Sequence, residues 1–99
     1  MAAPAAKRAP APSTPEGFLD PGGRGIGMAL YWEKVKPETG AFDPDNCLIF
    51  MTGPLVGTRA PSCGRHSVCA LSPQTGIWGE SNVGGFWGAE LKFSGYDGV

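Results

Sequence analysis

The residues of this chain that could do chemistry gather in three glycine-marked strings: GGRG at 22–25, SCGRH at 62–66 and SNVGG at 81–85. In the last, Ser81 or Asn82 is suited to cap a helix. Val83, Gly84 and Gly85 would then present helix-opening N–H groups with no side chain over two of them, an arrangement that binds anions. An ordinary capped helix with glycines for close packing accounts for the same string. Arg65 carries a five-donor guanidinium suited to a phosphate, a carboxylate or a polar heterocycle, or to a plain surface ion pair. Arg24 reads the same way, with a stronger lean to structure. His66 is the single histidine, which excludes a histidine-rich metal site within this chain and leaves it a structural residue or a polar neighbour of Arg65. Cys47, Cys63 and Cys69 form no C-x-x-C pattern and read as free thiols packed as small hydrophobes. Glu80, Glu90 and Asp97 are too scattered to be named as acid or base. No nucleophile triad, paired carboxylate or Walker loop is present, and Gly23 to Gly27 fails as a dinucleotide fingerprint because no hydrophobic strand precedes it.

These strings need elements to hold them. GGRGIG at 22–27 reads as a turn. IGMALYWEKVK at 26–36 then forms a helix with Ile26, Ala29, Leu30 and Val35 toward one side, stopped by Pro37. FDPDN at 42–46 is a turn, CLIFM at 47–51 a buried strand and HSVCAL at 66–71 a second strand. Residues 52–65 and 72–85 read as two loops pressed against a neighbour, since their Gly and Pro sit among few charges. FWGAELKFS at 86–94 reads as a short helix, apolar on two sides (Phe86, Ala89 and Phe93; Trp87 and Leu91), with Gly95 as its stop. A strand starts in GYDGV.

Composition bounds the rest. The 99 residues include 16 Gly and 10 Pro, far above the usual share, which excludes a plain helical bundle. With 41% hydrophobic residues and 10% aromatics there is material for one small core. Residues 1–16 hold six Ala and four Pro and are expected to be a disordered tail, with residues 17–99 as the folded part. A net charge of -1 excludes the basic stripe that nucleic-acid binding requires. No apolar run approaches the roughly 20 residues of a membrane span. No apolar h-region follows Lys7 and Arg8, so a secretory signal is not expected and the cytoplasm is the default.

Taken together, GGRGIGMAL (22–30), DPDNCLIFMTGPLVGTRAPSCGRHSV (43–68) and SPQTGIWGESNVGGFWGAELKFSGYDG (72–98) resemble the N-terminal domain of tungsten-containing aldehyde ferredoxin oxidoreductases. The motifs TGPL-x-GT-x-AP, GR-x-x-V, SP-x-TG and SN-x-GG-x-x-G-x-ELKF-x-GYDG stand in the family's order and spacing from about residue 22 to 99. The resemblance implies an α+β fold, mostly antiparallel sheet with two short helices, as an incomplete N-terminal domain on which a tungsten (or molybdenum) bis-pterin, a molybdopterin-type cofactor, rests. It implies a parent oxidoreductase that converts an aldehyde to a carboxylic acid and passes electrons through a 4Fe-4S iron-sulfur cluster to ferredoxin. Its partners would be ferredoxin and a small aldehyde, with a homodimeric parent compatible. Residue by residue, Arg65 falls on the GR arginine between cofactor and cluster, and Asn82 and Gly84 on the SN-x-G positions that contact the pterin. Catalytic residues, metal ligands and cluster cysteines belong to later domains, so this chain alone is expected to be an inactive fragment. The departures are the Ala/Pro tail in place of a strand-forming segment, His66 and Ser67 for an aromatic and Asn, and Leu71 for a common Lys. They leave open a benzoyl-CoA reductase-type tungsten subunit of the same family. A small non-catalytic binding module is the alternative from another class.

Overall fold

The computed structural model describes residues 6–7 and 23–99. The expectation of disorder over residues 1–16 lies outside the described residues, apart from Ala6–Lys7, which form a strand. In chain order the elements are β1 (Ala6–Lys7), α1 (Arg24–Lys34), β2 (Ile49–Thr52), β3 (His66–Leu71), β4 (Trp78–Val83), α2 (Trp87–Phe93) and β5 (Tyr96–Gly98). The strands make one antiparallel sheet in the order β1-β5-β2-β3-β4. This is the expected α+β architecture with two short helices.

The sheet's alternation decides which residues meet. Ile49 pairs with Cys69 and Met51 with Ser67 between β2 and β3; Leu71 pairs with Trp78, Cys69 with Glu80 and Ser67 with Asn82 between β3 and β4. Because successive side chains point to opposite faces, these residues share one face of the sheet. Helix α1 covers it, and the core there is Ile49, Met51 and Cys69, with Ile26, Leu30, Tyr31, Cys47 and Trp78 packed around them. Fully burying a side chain such as Ile49 or Met51 contributes about 1.5–3 kcal/mol. Tyr31 meets Trp78 edge-on, with ring centroids 5.2 Å apart, and donates a hydrogen bond of 2.7 Å to Asn46 Oδ1.

Helix α1 approaches closely because Gly27 faces β3. A Cβ at that position would stand 3.2 Å from Cys69 Sγ, and Cys69 is fully buried. The buried side therefore centres on Gly27, with Ile26, Leu30 and Tyr31 beside it. Ala29, two residues on and about 200° around the helix, is exposed, against expectation. The helix also starts at Arg24, inside the string expected to be a turn. It ends before Val35, which is extended at φ -106 and ψ 124, two residues ahead of the helix-incompatible Pro37.

On the opposite face, α2 packs through Gly88, whose added Cβ would sit 3.4 Å from Val56 and 3.5 Å from His66. The Trp87 ring lies 4.5 Å from that of His66 and 5.5 Å from that of Phe50. Gly95, at φ +91, ends α2 in the left-handed conformation that glycine adopts without penalty, and β5 follows between β1 and β2.

Two further expectations are corrected. Residues 72–85 are not loop throughout: Trp78–Val83 is strand β4, paired along its whole length with β3. Its sequence, WGESNV, has one large apolar residue at each end and polar groups between. Only the partner strand reveals it. Consequently Ser81 and Asn82 do not cap α2; its N-cap is Phe86, with no side-chain cap bond. The strand at 47–51 is shifted to Ile49–Thr52.

Candidate functional site

The three glycine-marked strings, distant in sequence, meet at one end of the α1-covered face. The register His66 to Val83 and Ser67 to Asn82 places Arg65, one residue before His66, beside the Gly84 stretch. A Cβ on Gly64 would lie 3.4 Å from the Gly85 carbonyl, so GR and VGG run side by side. GGRG joins them: Gly23 N–H donates to the Thr52 carbonyl at 3.1 Å, and a Cβ on Gly23 would lie 3.5 Å from Ser67 Oγ.

Within this corner the polar groups converge on Glu80. Its Oε1 accepts from Asn82 Nδ2 at 2.8 Å and from Ser67 Oγ at 3.4 Å, and its Oε2 stands 3.5 Å from Arg24 Nε. Ser67 is buried, while Asn82 is exposed. Glu80 is the residue that reading the sequence missed. The available signal was its two-residue spacing from Asn82, which on a strand means one shared face. Glu80 and burial act also on Cys69: burial foremost, and then the Glu80 carboxylate, push its thiol above the ordinary range, partly offset by Arg24.

Arg65 is exposed, and among the described residues it makes no ion pair or side-chain hydrogen bond. Gly84 and Gly85 are exposed, and a Cβ on either would meet nothing within 4 Å among the described residues. The corner therefore offers guanidinium donors, one side-chain amide and a stretch of backbone with no side chain over it. That donor set fits a flat polar heterocycle with hydrogen-bonding edges, such as a pterin. His66 is turned to the other face, buried against Trp87, so it is a packing residue, with Nδ1 unpartnered among the described residues. Cys47, Cys63 and Cys69 are free thiols. Among the described residues no cluster of His, Cys, Asp and Glu could hold a metal ion, and no helix is long and apolar enough to cross a membrane.

Comparison with known proteins supplies the context. Residues 12–99 match the family described as aldehyde ferredoxin oxidoreductase, N-terminal domain. The tungsten-containing aldehyde ferredoxin oxidoreductase of Pyrococcus abyssi is 47% identical over 78 residues, 79% of this chain and 13% of the relative. An aliphatic sulfonate oxidoreductase, WOR-like subunit, of Pyrococcus furiosus is 35% identical over 82 residues. Among solved structures, the active site complex BamBC of benzoyl coenzyme A reductase with 1,5 dienoyl-CoA superposes with a TM-score of 0.77 at 46% identity, covering 79% of this chain and 12% of that one. The chain thus spans about an eighth of the length of the curated relatives it matches. With the ordered motifs, the antiparallel sheet and these matches in agreement, the chain belongs to the aldehyde ferredoxin oxidoreductase family and carries its N-terminal domain.

Proposed function

We propose that this chain is the part of a tungsten-dependent oxidoreductase that cradles the bis-pterin cofactor. The observation that carries the reading is the corner where strand register sets Arg65 alongside Gly84 and near Asn82: among the described residues, a guanidinium without an ion-pair partner, an amide, and glycines with open space above them. Arg65 donates hydrogen bonds to polar cofactor atoms, the Asn82 side chain holds a pterin edge, and the Gly84 backbone lies against it. When bound, the cofactor supplies the two-electron chemistry. The parent reaction is oxidation of an aldehyde to a carboxylic acid, with electrons leaving through a 4Fe-4S cluster, bound by other domains, to ferredoxin in the cytoplasm.

The exposed apolar side chains support this. Trp32, Phe42 and Phe86 are 88%, 91% and 86% exposed, the pattern of surfaces that further parts of a larger enzyme cover.

The 46% identity to the benzoyl-CoA reductase complex favours a second reading of the substrate, a cyclic dienoyl thioester in place of an aldehyde. Dye reduction by the full-length parent with an aldehyde or with the dienoyl-CoA separates the two. For the cofactor itself, the purified parent should contain tungsten or molybdenum, and Arg65→Ala and Asn82→Ala should each lower metal and pterin content. An active parent with neither metal, or full content in both variants, refutes the assignment.

A further inference from the structure

Resting on the cofactor reading of Asn82, we infer that Glu80 is a positioning residue that fixes which way Asn82 presents its amide, so that the site recognises an N–H donor on the cofactor through Asn82 Oδ1. A carboxylate can only accept, so the Asn82 edge facing Glu80 at 2.8 Å must be the Nδ2 amine. That commits one amine hydrogen to the protein and leaves Oδ1 for an outside donor. An unanchored asparagine would offer either edge equally.

Glu80 is itself held. Its side chain is only 18% exposed and borders Ser67 and Arg24. Of its three contacts among the described residues, the Ser67 bond is long at 3.4 Å. The Arg24 pair, at 3.5 Å with an arginine side chain 64% exposed, is weakened by solvent. The charge-assisted bond to Asn82, itself exposed, is the shortest of the three and the one that sets a direction. Burial beside Ser67 and Arg24 confines the carboxylate, Glu80 sets the amide, and the amide meets the ligand. The GGRG string thereby reaches the cofactor corner through Glu80, without a contact of its own being required.

The test is a double-mutant cycle in the full-length parent, read as tungsten and pterin bound per polypeptide. Asn82→Ala and Glu80→Ala should each lower the content, and the double variant should fall no further than Asn82→Ala alone, because Glu80 acts through Asn82. A charge exchange gives the orientation. Asn82→Asp sets two carboxylates against each other and should lower the content about fivefold or more. Adding Glu80→Gln supplies an amide donor to the carboxylate introduced at position 82, frees one of its oxygens as the outward acceptor and should restore content to within about twofold of wild type. Denaturation midpoints equal to wild type in all these variants separate positioning from a residue that merely stabilises the fold, and a midpoint that falls and recovers in step with the content overturns the inference. Loss in Asn82→Ala with independent, multiplying effects of Glu80→Ala, or no rescue in the exchange, overturns the inference and leaves the cofactor reading standing. Full content in Asn82→Ala overturns the inference, and overturns the cofactor reading as well when Arg65→Ala also keeps full content.

Discussion

Replacing Gly84 by alanine separates cofactor contact from folding. The backbone at Gly84 lies outside the left-handed region, and an added Cβ meets nothing within 4 Å among the described residues. The folded chain therefore has no reason to resist the substitution. Alanine also narrows the unfolded ensemble, so stability should be unchanged or raised by about 0.4–1 kcal/mol. Against a cofactor resting on the bare backbone the same methyl group is an overpacking insertion, with a penalty of about 1–3 kcal/mol. At about 1.4 kcal/mol per tenfold, cofactor affinity should fall roughly 5- to 150-fold. Gly85 is the control on the folding side. It is equally open but sits at φ +102, where a side chain is strained by about 1–2 kcal/mol, so Gly85→Ala should lower stability. The assay is metal analysis and pterin content of the purified full-length parent, alongside its denaturation midpoint. Normal cofactor content in Gly84→Ala would refute close approach at this position. A large drop in the midpoint of Gly84→Ala would refute the open space around it.

Two further outcomes follow from packing and titration. Gly98→Ala should destabilise by about 1–3 kcal/mol, because its Cβ would stand 2.7 Å from both the Phe50 carbonyl oxygen and Met51 Cε; an unchanged denaturation midpoint would refute this. Burial and the Glu80 carboxylate raise the Cys69 thiol, so the folded state keeps a proton that the unfolded chain releases near pH 8.5. The stabilisation from this group is full below that pH and is lost as the pH rises above it. A shallower alkaline decline of the midpoint in Cys69→Ala than in wild type is expected; equal slopes would refute it.

Much of the fold was legible because its signals are local. HSVCAL, a short run ending in Val68, Cys69, Ala70 and Leu71 between turn residues, is β3 to the residue. Gly95 closes α2 as glycine after a helix does, and GYDG opens a strand. Strand β4 was not legible because WGESNV has no apolar face of its own; its backbone is satisfied by β3, and β3 is named only by the fold. Ala29 was misplaced for a similar reason. Periodicity allowed several buried sides, and the one used is set by where Gly27 lets α1 meet Cys69.

The site divides along the same line. Arg65, Asn82 and Gly84 stand out in the sequence by type, as a guanidinium in a glycine string and an amide beside bare backbone. Ordered motifs shared with a family can be read with no coordinates at all. That Asn82 lies on a strand and not at a helix cap, that its neighbour across the sheet is Ser67, and that Glu80 holds it were decided only by tertiary pairing. A residue's chemistry is written in its side chain, but its direction and its partners come from register, and register is settled between strands far apart in the chain.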